Sequence, residues 1–392
     1  MWFYFGVTFM AMLSLLDMAI FTYIGYTFKV SPIYYSIVAA MWSIVYIFTN
    51  KALSALGDRG KNKELMVSGF LSITIALLLF SRNTLGSVTL AYMFHAVAVS
   101  SANLSMSTSV YELFDSSSWW RYSTLQRILQ NLLRGFTLIL ISSGILNITL
   151  QHILVFSSAV GMLNVLLLPS VGLGLERKLH MIGKEVNELV GFASSRGILA
   201  SALEGASSIR NGIVGMLGIS GSSSSLSRGR VLVSVLLAIA TGDFVFTAMP
   251  LLIKSSISLS NYWMAQGITG IAVGLSAALI SKALRGERKI AIAIVALRGL
   301  WLSFAMPLMY REETLIFYLI GMYLLGLAMD ASLFNLYSEI NSGYGAHSYF
   351  ISRELGTLTG SLLAGVALAI GIPAAVIIVP LIFTIVAVMQ LL

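Results

Sequence analysis

The chain is written as a succession of apolar runs, each long enough to cross a lipid bilayer. A span needs about 20 mostly apolar residues. Twelve such runs fall near 3–26, 33–55, 65–81, 88–110, 123–145, 151–170, 231–253, 261–283, 290–309, 314–336, 350–370 and 373–391. Backbone in lipid must satisfy its own hydrogen bonds, and runs of this length do so as helices. The sequence therefore predicts an all-α integral membrane protein with twelve transmembrane helices. Of 392 residues, 57% are hydrophobic and 10% charged, too few charges to cover a water-soluble surface. The opening stretch, MWFYFGVTFMAML, has no basic n-region and no small-residue cleavage site. It is expected to be a retained first span and not a signal peptide.

Several chemistries are excluded early. There is no cysteine, so no disulfide, thiolate metal site or cysteine nucleophile. His95, His152, His180 and His347 lie far apart and show no ligand spacing. No metal, cofactor or ATP-binding module is predicted; the GDR of 57–59 is not followed by the lysine–serine pair of a phosphate loop. The net charge of +8 is a topology signal and not a nucleic-acid footprint. Loops after even-numbered spans, with the span ends beside them, hold eleven Lys and Arg against four for the odd-numbered loops. The segment 171–230 adds seven more to the even side. This places both termini and that segment in the cytoplasm of a multi-pass protein of the cell membrane. The segment ends in SGSSSSLSRGR, a flexible linker by composition. Within it, LHMIGKEVNELVGF is able to form an amphipathic helix, on the membrane surface or solvated in the linker.

The basic knot RGKNK at 59–63 returns as RGERK at 285–289, 226 residues later. The same offset, without a gap, superposes Asp17 on Asp243, Tyr111 on Tyr337 and Arg127 on Arg353. Four charged identities fall in register where composition alone gives about 0.4. The reading is an internal repeat: residues 1–170 as one six-helix bundle, 171–230 as the linker, and 231–392 as the second bundle. Six spans per half put both halves in the membrane the same way round. Such a parallel repeat is the plan of two-domain secondary transporters, which rock about a site between the halves.

The stretch between spans two and three, SALGDRGKNK at 54–63, resembles the marker of the major facilitator superfamily, roughly G-x-x-x-D-R-x-G-R-R/K. Asp58 and Arg59 match, Ser54 stands for the first glycine, and Gly60 comes one residue early. The second copy, SKALRGERK, lacks the aspartate. The topology of the resemblance covers the whole chain; the motif covers ten residues. The resemblance implies an alternating-access transporter with cytoplasmic bridges that hold its inside-closed state. Arg59, Lys63 and Arg127 with Asp58, Glu112 and Asp115 in the first half, and Arg285, Lys289 and Arg353 with Glu287, Glu339 and Glu354 in the second, are the residues it points to. The alternative, a topology signal alone, covers Lys63 and Lys289 well and Arg127 and Arg353, which sit inside the spans, poorly. Two departures count against a drug/proton antiporter. Span four offers only His95 where the family has a basic residue, and span five lacks the glycine–proline motif.

Charges inside spans cost roughly 2.5–3.5 kcal/mol each at a helix centre and mark function by default. Spans three, six and twelve carry none, as expected of the peripheral helices in the resembling fold. Arg298 in span nine breaks that pattern, with snorkelling to the cytoplasmic face as the alternative to a functional place. In span five, Arg127, Gln130, Asn131 and Arg134 are spaced i, i+3, i+4 and i+7, one helical face. Arg134 lies roughly 18 Å inside the span and Asp17 roughly 20 Å, so the two are expected at matching depth. They are read as a coupled pair, with protonation of Asp17 releasing Arg134 to bind substrate; a permanent ion pair that only locks packing is the alternative. Asp17, with Asp243 second, is the expected proton site. Arg134, Gln130 and Asn131 are the expected substrate contacts, followed by His95 and Asn103 in span four and Asp330 and Tyr337 in span ten. The predicted function is proton-coupled transport of a small polar or anionic solute by a monomer. The rivals are an exporter of lipophilic compounds, with Phe21, Tyr23 and Phe246 lining its cavity, and a non-transporting membrane sensor or enzyme.

Overall fold

The computed structural model describes residues 1–114, 119–145, 147–170, 226–283, 287–340 and 346–392. The amphipathic segment read within 171–230 lies outside them. Among the described residues the chain is all-helical, with twelve long helices. They are α1 (Trp2–Thr27), α2 (Pro32–Asp58), α3 (Asn62–Phe80), α4 (Leu85–Leu113), α5 (Trp119–Ser142) and α6 (Leu150–Leu167), then α7 (Arg228–Ile253), α8 (Leu259–Ala283), α9 (Arg288–Ser303), α10 (Glu312–Ile340), α11 (Ala346–Ala369) and α12 (Ala375–Leu391). A single helical turn, Ala305–Leu308, follows α9. The ninth apolar run is thus broken at Phe304, ahead of Pro307, whose ring opposes continuation of a helix.

Seven helices, α1, α2, α3, α4, α6, α7 and α10, are long and apolar enough by length and composition to cross a membrane. The polar stripe that makes α5 interesting also lowers its hydropathy. The chain is a multi-pass membrane protein. The turns between paired helices are written in local capping chemistry. Ser31 accepts from the Tyr34 amide at 3.2 Å, ahead of Pro32 in the first turn of α2. Thr84 with Ser87 and Thr149 with His152 form capping boxes at the starts of α4 and α6. These three caps sit at the end of the molecule opposite the start of α1, called here the far end; the near end is where α1, α5, α7 and α11 begin.

Helices of the two halves meet along two crossings, α5 on α8 and α2 on α11. The first is a backbone-to-backbone approach. A Cβ on Gly267 would lie 2.8 Å from the Gly135 carbonyl, and one on Gly270 would lie 3.1 Å from the Asn131 carbonyl. Only glycine permits this, and dispersion between closely packed backbones replaces the hydrophobic drive that lipid removes. At the second crossing Gly365 sits against Ser36 and Pro32.

The buried apolar residues form two clusters. The larger is continuous across both halves: Phe21, Ile24 and Tyr35 join Met249, Ile253, Tyr262 and Trp263. The smaller lies only in the second half, toward the near end, and holds Val231, Val235, Leu336, Tyr337, Tyr349 and Leu391. The halves are therefore packed as one at the far end and have separate cores at the near end. Three contacts finish the far-end closure. Ser260 donates to the Ser142 carbonyl at 2.6 Å, Trp263 donates to Thr22 at 2.9 Å, and Phe21 stacks on Phe246 at 6.1 Å.

Candidate functional site

Counted from Trp2, Trp119 and Arg228, the residues Asp17, Arg134 and Asp243 are each the sixteenth of their helices. All three helices begin at the near end, so the three charges share one level, roughly 22 Å along. The shared level follows from helix geometry alone. What surrounds each charge is tertiary.

Asp17 accepts a 2.9 Å hydrogen bond from the Tyr92 hydroxyl of α4. Tyr92 stacks on His95 at 6.0 Å and on Phe21 at 5.9 Å. His95 is fully buried. Its Nε2 bonds the Leu13 carbonyl at 2.7 Å, and its Nδ1 accepts from the Trp42 indole at 3.2 Å. A ring with one nitrogen donating and the other accepting is neutral imidazole with both partners filled. His95 is thus packed against Tyr92 with both ring nitrogens occupied.

Arg134 of α5 stands at the same level as Asp17. The two do not form an ion pair by direct contact, but they are within electrostatic reach. One guanidinium nitrogen donates to Ser14 at 3.3 Å, and Cζ sits 5.8 Å from the Tyr323 ring of α10. Its Nε is buried without a hydrogen-bond partner. A guanidinium carries five N–H donors in a planar fork, so most of this fork is uncommitted. Tyr323 belongs to the second half and also feels Asp17, Asp243 and Gln266. The level that carries Arg134 is therefore built by both halves. Of its stripe neighbours, Gln130 is half-buried, while Asn131 folds back to donate to the Arg127 carbonyl at 2.9 Å and packs against Gly274 of α8. The stripe that the sequence put on one face is divided: Asn131 serves the α5–α8 crossing, and Arg127 is exposed at the near end.

In the second half, Asp243 accepts from Thr357 of α11 at 2.9 Å. Arg298 does not snorkel. It is 9% exposed, donates to the Ala238 carbonyl at 2.6 Å, and lies against Gly242, within electrostatic reach of Asp243. The missing Cβ of Gly242 makes the room for its guanidinium. Asp330 forms a 3.2 Å ion pair with Arg353 and accepts from Tyr349 at 2.9 Å. That joins a predicted substrate contact to a predicted bridge residue inside one half. Tyr337 is 1% exposed in the near-end core, tilted against Tyr349. Asn103, with Asn50, flanks the Tyr46 hydroxyl. Arg59 is exposed and Glu112 half-buried, while the side chains of Asp58, Arg285 and Glu339 lie outside the described residues. Phe21 and Phe246 are stacked within the far-end closure, and Tyr23 turns to donate to Asn83 at 3.0 Å. Among the described residues, no three His, Asp or Glu side chains converge as a metal site.

The sequence reading missed Tyr92, Tyr323, Thr357, Ser14 and Tyr46. Two of them had a signal. Tyr92 stands three residues before His95, and Thr357 four after Arg353, each on the face of a residue already marked. Tyr323 had none, since its place beside Arg134 is set by how α10 packs on α8.

No family model matches the sequence, and comparison with curated proteins finds no match. Solved structures do match. A POT family transporter in complex with a thioalcohol-conjugated peptide is 14% identical, with a TM-score of 0.66 over 99% of this chain and 93% of that one. The peptide transporter POT in complex with sulfate is 10% identical, with a TM-score of 0.67 over 100% and 93%. The xylose transporter XylE from E. coli, in a partially occluded inward open conformation, is 12% identical, with a TM-score of 0.60 over 99% and 96%. At such identities the likeness is one of fold.

Proposed function

Starting from the major facilitator fold that the chain shares with these transporters, we propose that it is a secondary transporter. In this reading it moves a small polar solute bearing an anionic group, by alternating access and coupled to protons. The halves are residues 1–170 and 231–392, and 171–230 links them. The near end is cytoplasmic, and the conformation is open to it.

The observation that carries the reading is Arg134. It is a guanidinium with a buried, unpartnered Nε and a single polar side-chain contact, at a level where side chains of both halves meet. An arginine held this way in lipid needs an anion, and its planar fork suits carboxylate, phosphate or sulfate. Asp17, close but not in contact, is the internal counter-charge. When Asp17 takes a proton, the field that holds Arg134 is relieved and a solute anion can replace it. Binding and protonation are thereby linked, and the loaded site is closer to electroneutral when the halves rock.

The exporter of lipophilic compounds is supported less well. Its aromatic candidates Phe21 and Phe246 are stacked on each other in the far-end closure instead of lining the open side. The experiment is uptake into proteoliposomes of purified protein with an imposed pH gradient, using a panel of carboxylates, sugars and lipophilic cations. Gradient-driven accumulation of an anion, lost in Arg134→Gln, supports the reading. Transport of lipophilic cations that ignores Arg134→Gln sinks it.

A further inference from the structure

The ring of His95 is held at both nitrogens by two other helices. It is fully buried in α4. The Trp42 indole of α2 donates to its Nδ1 at 3.2 Å. An indole N–H can only donate, so Nδ1 holds a lone pair and the ring hydrogen is on Nε2. Nε2 therefore donates to the Leu13 carbonyl of α1 at 2.7 Å. A second proton on this ring would set two N–H groups against each other at Trp42. His95 is thus kept as one neutral tautomer by groups that carry no charge.

The carbonyl that His95 meets belongs to the turn that carries Asp17. In a helix each amide points to the carbonyl four residues back, so the Leu13 carbonyl is the one that takes the Asp17 amide. One turn earlier on α4, Tyr92 donates to the Asp17 carboxylate at 2.9 Å. Helix α4 therefore grips one turn of α1 twice, at its backbone through His95 and at its side chain through Tyr92. The two gripping rings are nearly parallel, 4° apart in plane with centroids at 6.0 Å. Trp42 packs on both, 6.1 Å from Tyr92 and 6.3 Å from His95. A hydrogen bond such as that of Tyr92 weakens steeply as its geometry is lost, so the seating of α4 on α1 decides whether it forms.

We propose that His95 is a positioning residue: held as one tautomer by Trp42 and bonded to the Leu13 carbonyl, it seats α4 on α1 so that the Tyr92 hydroxyl meets the Asp17 carboxylate. His95 then serves coupling in place of solute contact, a role that rests on the reading of Asp17 as the proton site. The charged and titratable groups within reach of Asp17 are Tyr92 of α4, Arg134 of α5, Asp243 of α7, Tyr323 of α10 and Glu354 of α11. Tyr92 is the member of this set that stacks on His95, so His95 acts on Asp17 through Tyr92.

The test titrates the Asp17 carboxyl by infrared difference spectroscopy of the full chain in detergent, with Asp17→Asn to assign its band. No solute is needed. Tyr92→Phe is expected to move the midpoint by about one pH unit. His95→Leu should move it the same way by at least about half as much, and adding it to Tyr92→Phe should move it no further. His95→Gln keeps a donor and an acceptor on one amide and should return much of the wild-type midpoint. Trp42→Phe frees the tautomer but leaves the imidazole in place. It should shift the midpoint as His95→Leu does, and it carries the test if His95→Leu does not fold. A midpoint left at its wild-type value by changes at both His95 and Trp42 overturns the proposal, whatever happens to thermal stability. So do shifts that add in full to that of Tyr92→Phe, since His95 then acts on Asp17 by another route. An Asp17 that titrates in wild type but ignores Tyr92→Phe overturns it as well, and leaves the proton site standing. If no band of Asp17 titrates in wild type, the proton-site reading falls and this role falls with it.

Discussion

The hydroxyl of Tyr92 donates to Oδ1 of Asp17 at 2.9 Å, reaching from α4 to the middle of α1. A carboxylate accepts this bond more strongly than a carboxylic acid does. Tyr92 therefore acts on the balance between the charged and neutral forms of Asp17, while Trp42 and Leu13 hold His95 behind it.

Asp17→Asn is expected to abolish uptake driven by a pH gradient while leaving exchange of solute down its own gradient. Tyr92→Phe should keep coupling but shift its pH dependence, since it removes one charge-assisted bond of about 1.5–3 kcal/mol. Parallel measurement of gradient-driven uptake and counterflow separates the two. Unchanged pH-driven uptake in Asp17→Asn would mean that the proton site lies elsewhere, with Asp243 the next to test.

Arg134→Gln should weaken binding of an anionic solute by about 10- to 100-fold, the worth of a charge-assisted bond to a buried group. Arg134→Lys should recover only part of it, because an ammonium lacks the planar fork. Calorimetry on the purified variants reads both values. Full affinity in the glutamine variant would make Arg134 a packing residue.

Gly267 faces the Gly135 carbonyl at a distance that leaves no room for a side chain. Gly267→Leu is expected to force α5 and α8 apart and to open the far end. The chain has no cysteine, so a Ser142→Cys, Ser260→Cys pair reports this cleanly. Those two residues are joined by a 2.6 Å hydrogen bond. The pair should cross-link under mild oxidation and stop uptake until reduced, and Gly267→Leu should lower the yield of cross-link. A cross-link that leaves uptake unaffected would show that the far end need not open.

Arg298→Met should lower stability by about 3–5 kcal/mol, because it leaves Asp243 without its nearest buried counter-charge. Adding Asp243→Asn is expected to return a large part of that loss, since a neutral pair needs no partner. Thermal unfolding of the two single variants and the double variant forms the cycle. Additive losses would show that Arg298 and Asp243 do not interact.

The sequence by itself determined what depends on length, periodicity and local chemistry. Twelve apolar runs became twelve long helices because lipid offers the backbone no other partner. Ser31, Thr84 and Thr149 set helix starts through atoms three residues away. The common level of Asp17, Arg134 and Asp243 is likewise one-dimensional, fixed by a rise of about 1.5 Å per residue. Partners were a different matter. A helical wheel gives the face of a residue but not the helix that the face meets. Asn131 and Arg134 share a stripe, yet one packs on α8 and the other looks toward Tyr323. Arg298 was open between the membrane surface and the interior until Gly242, 56 residues away, made room for it. Asp330 and Arg353 were marked for separate roles, and only the packing of the second half brought them into one ion pair. Those choices are made when helices pack, because a buried charge takes its meaning from the groups that other helices bring to it.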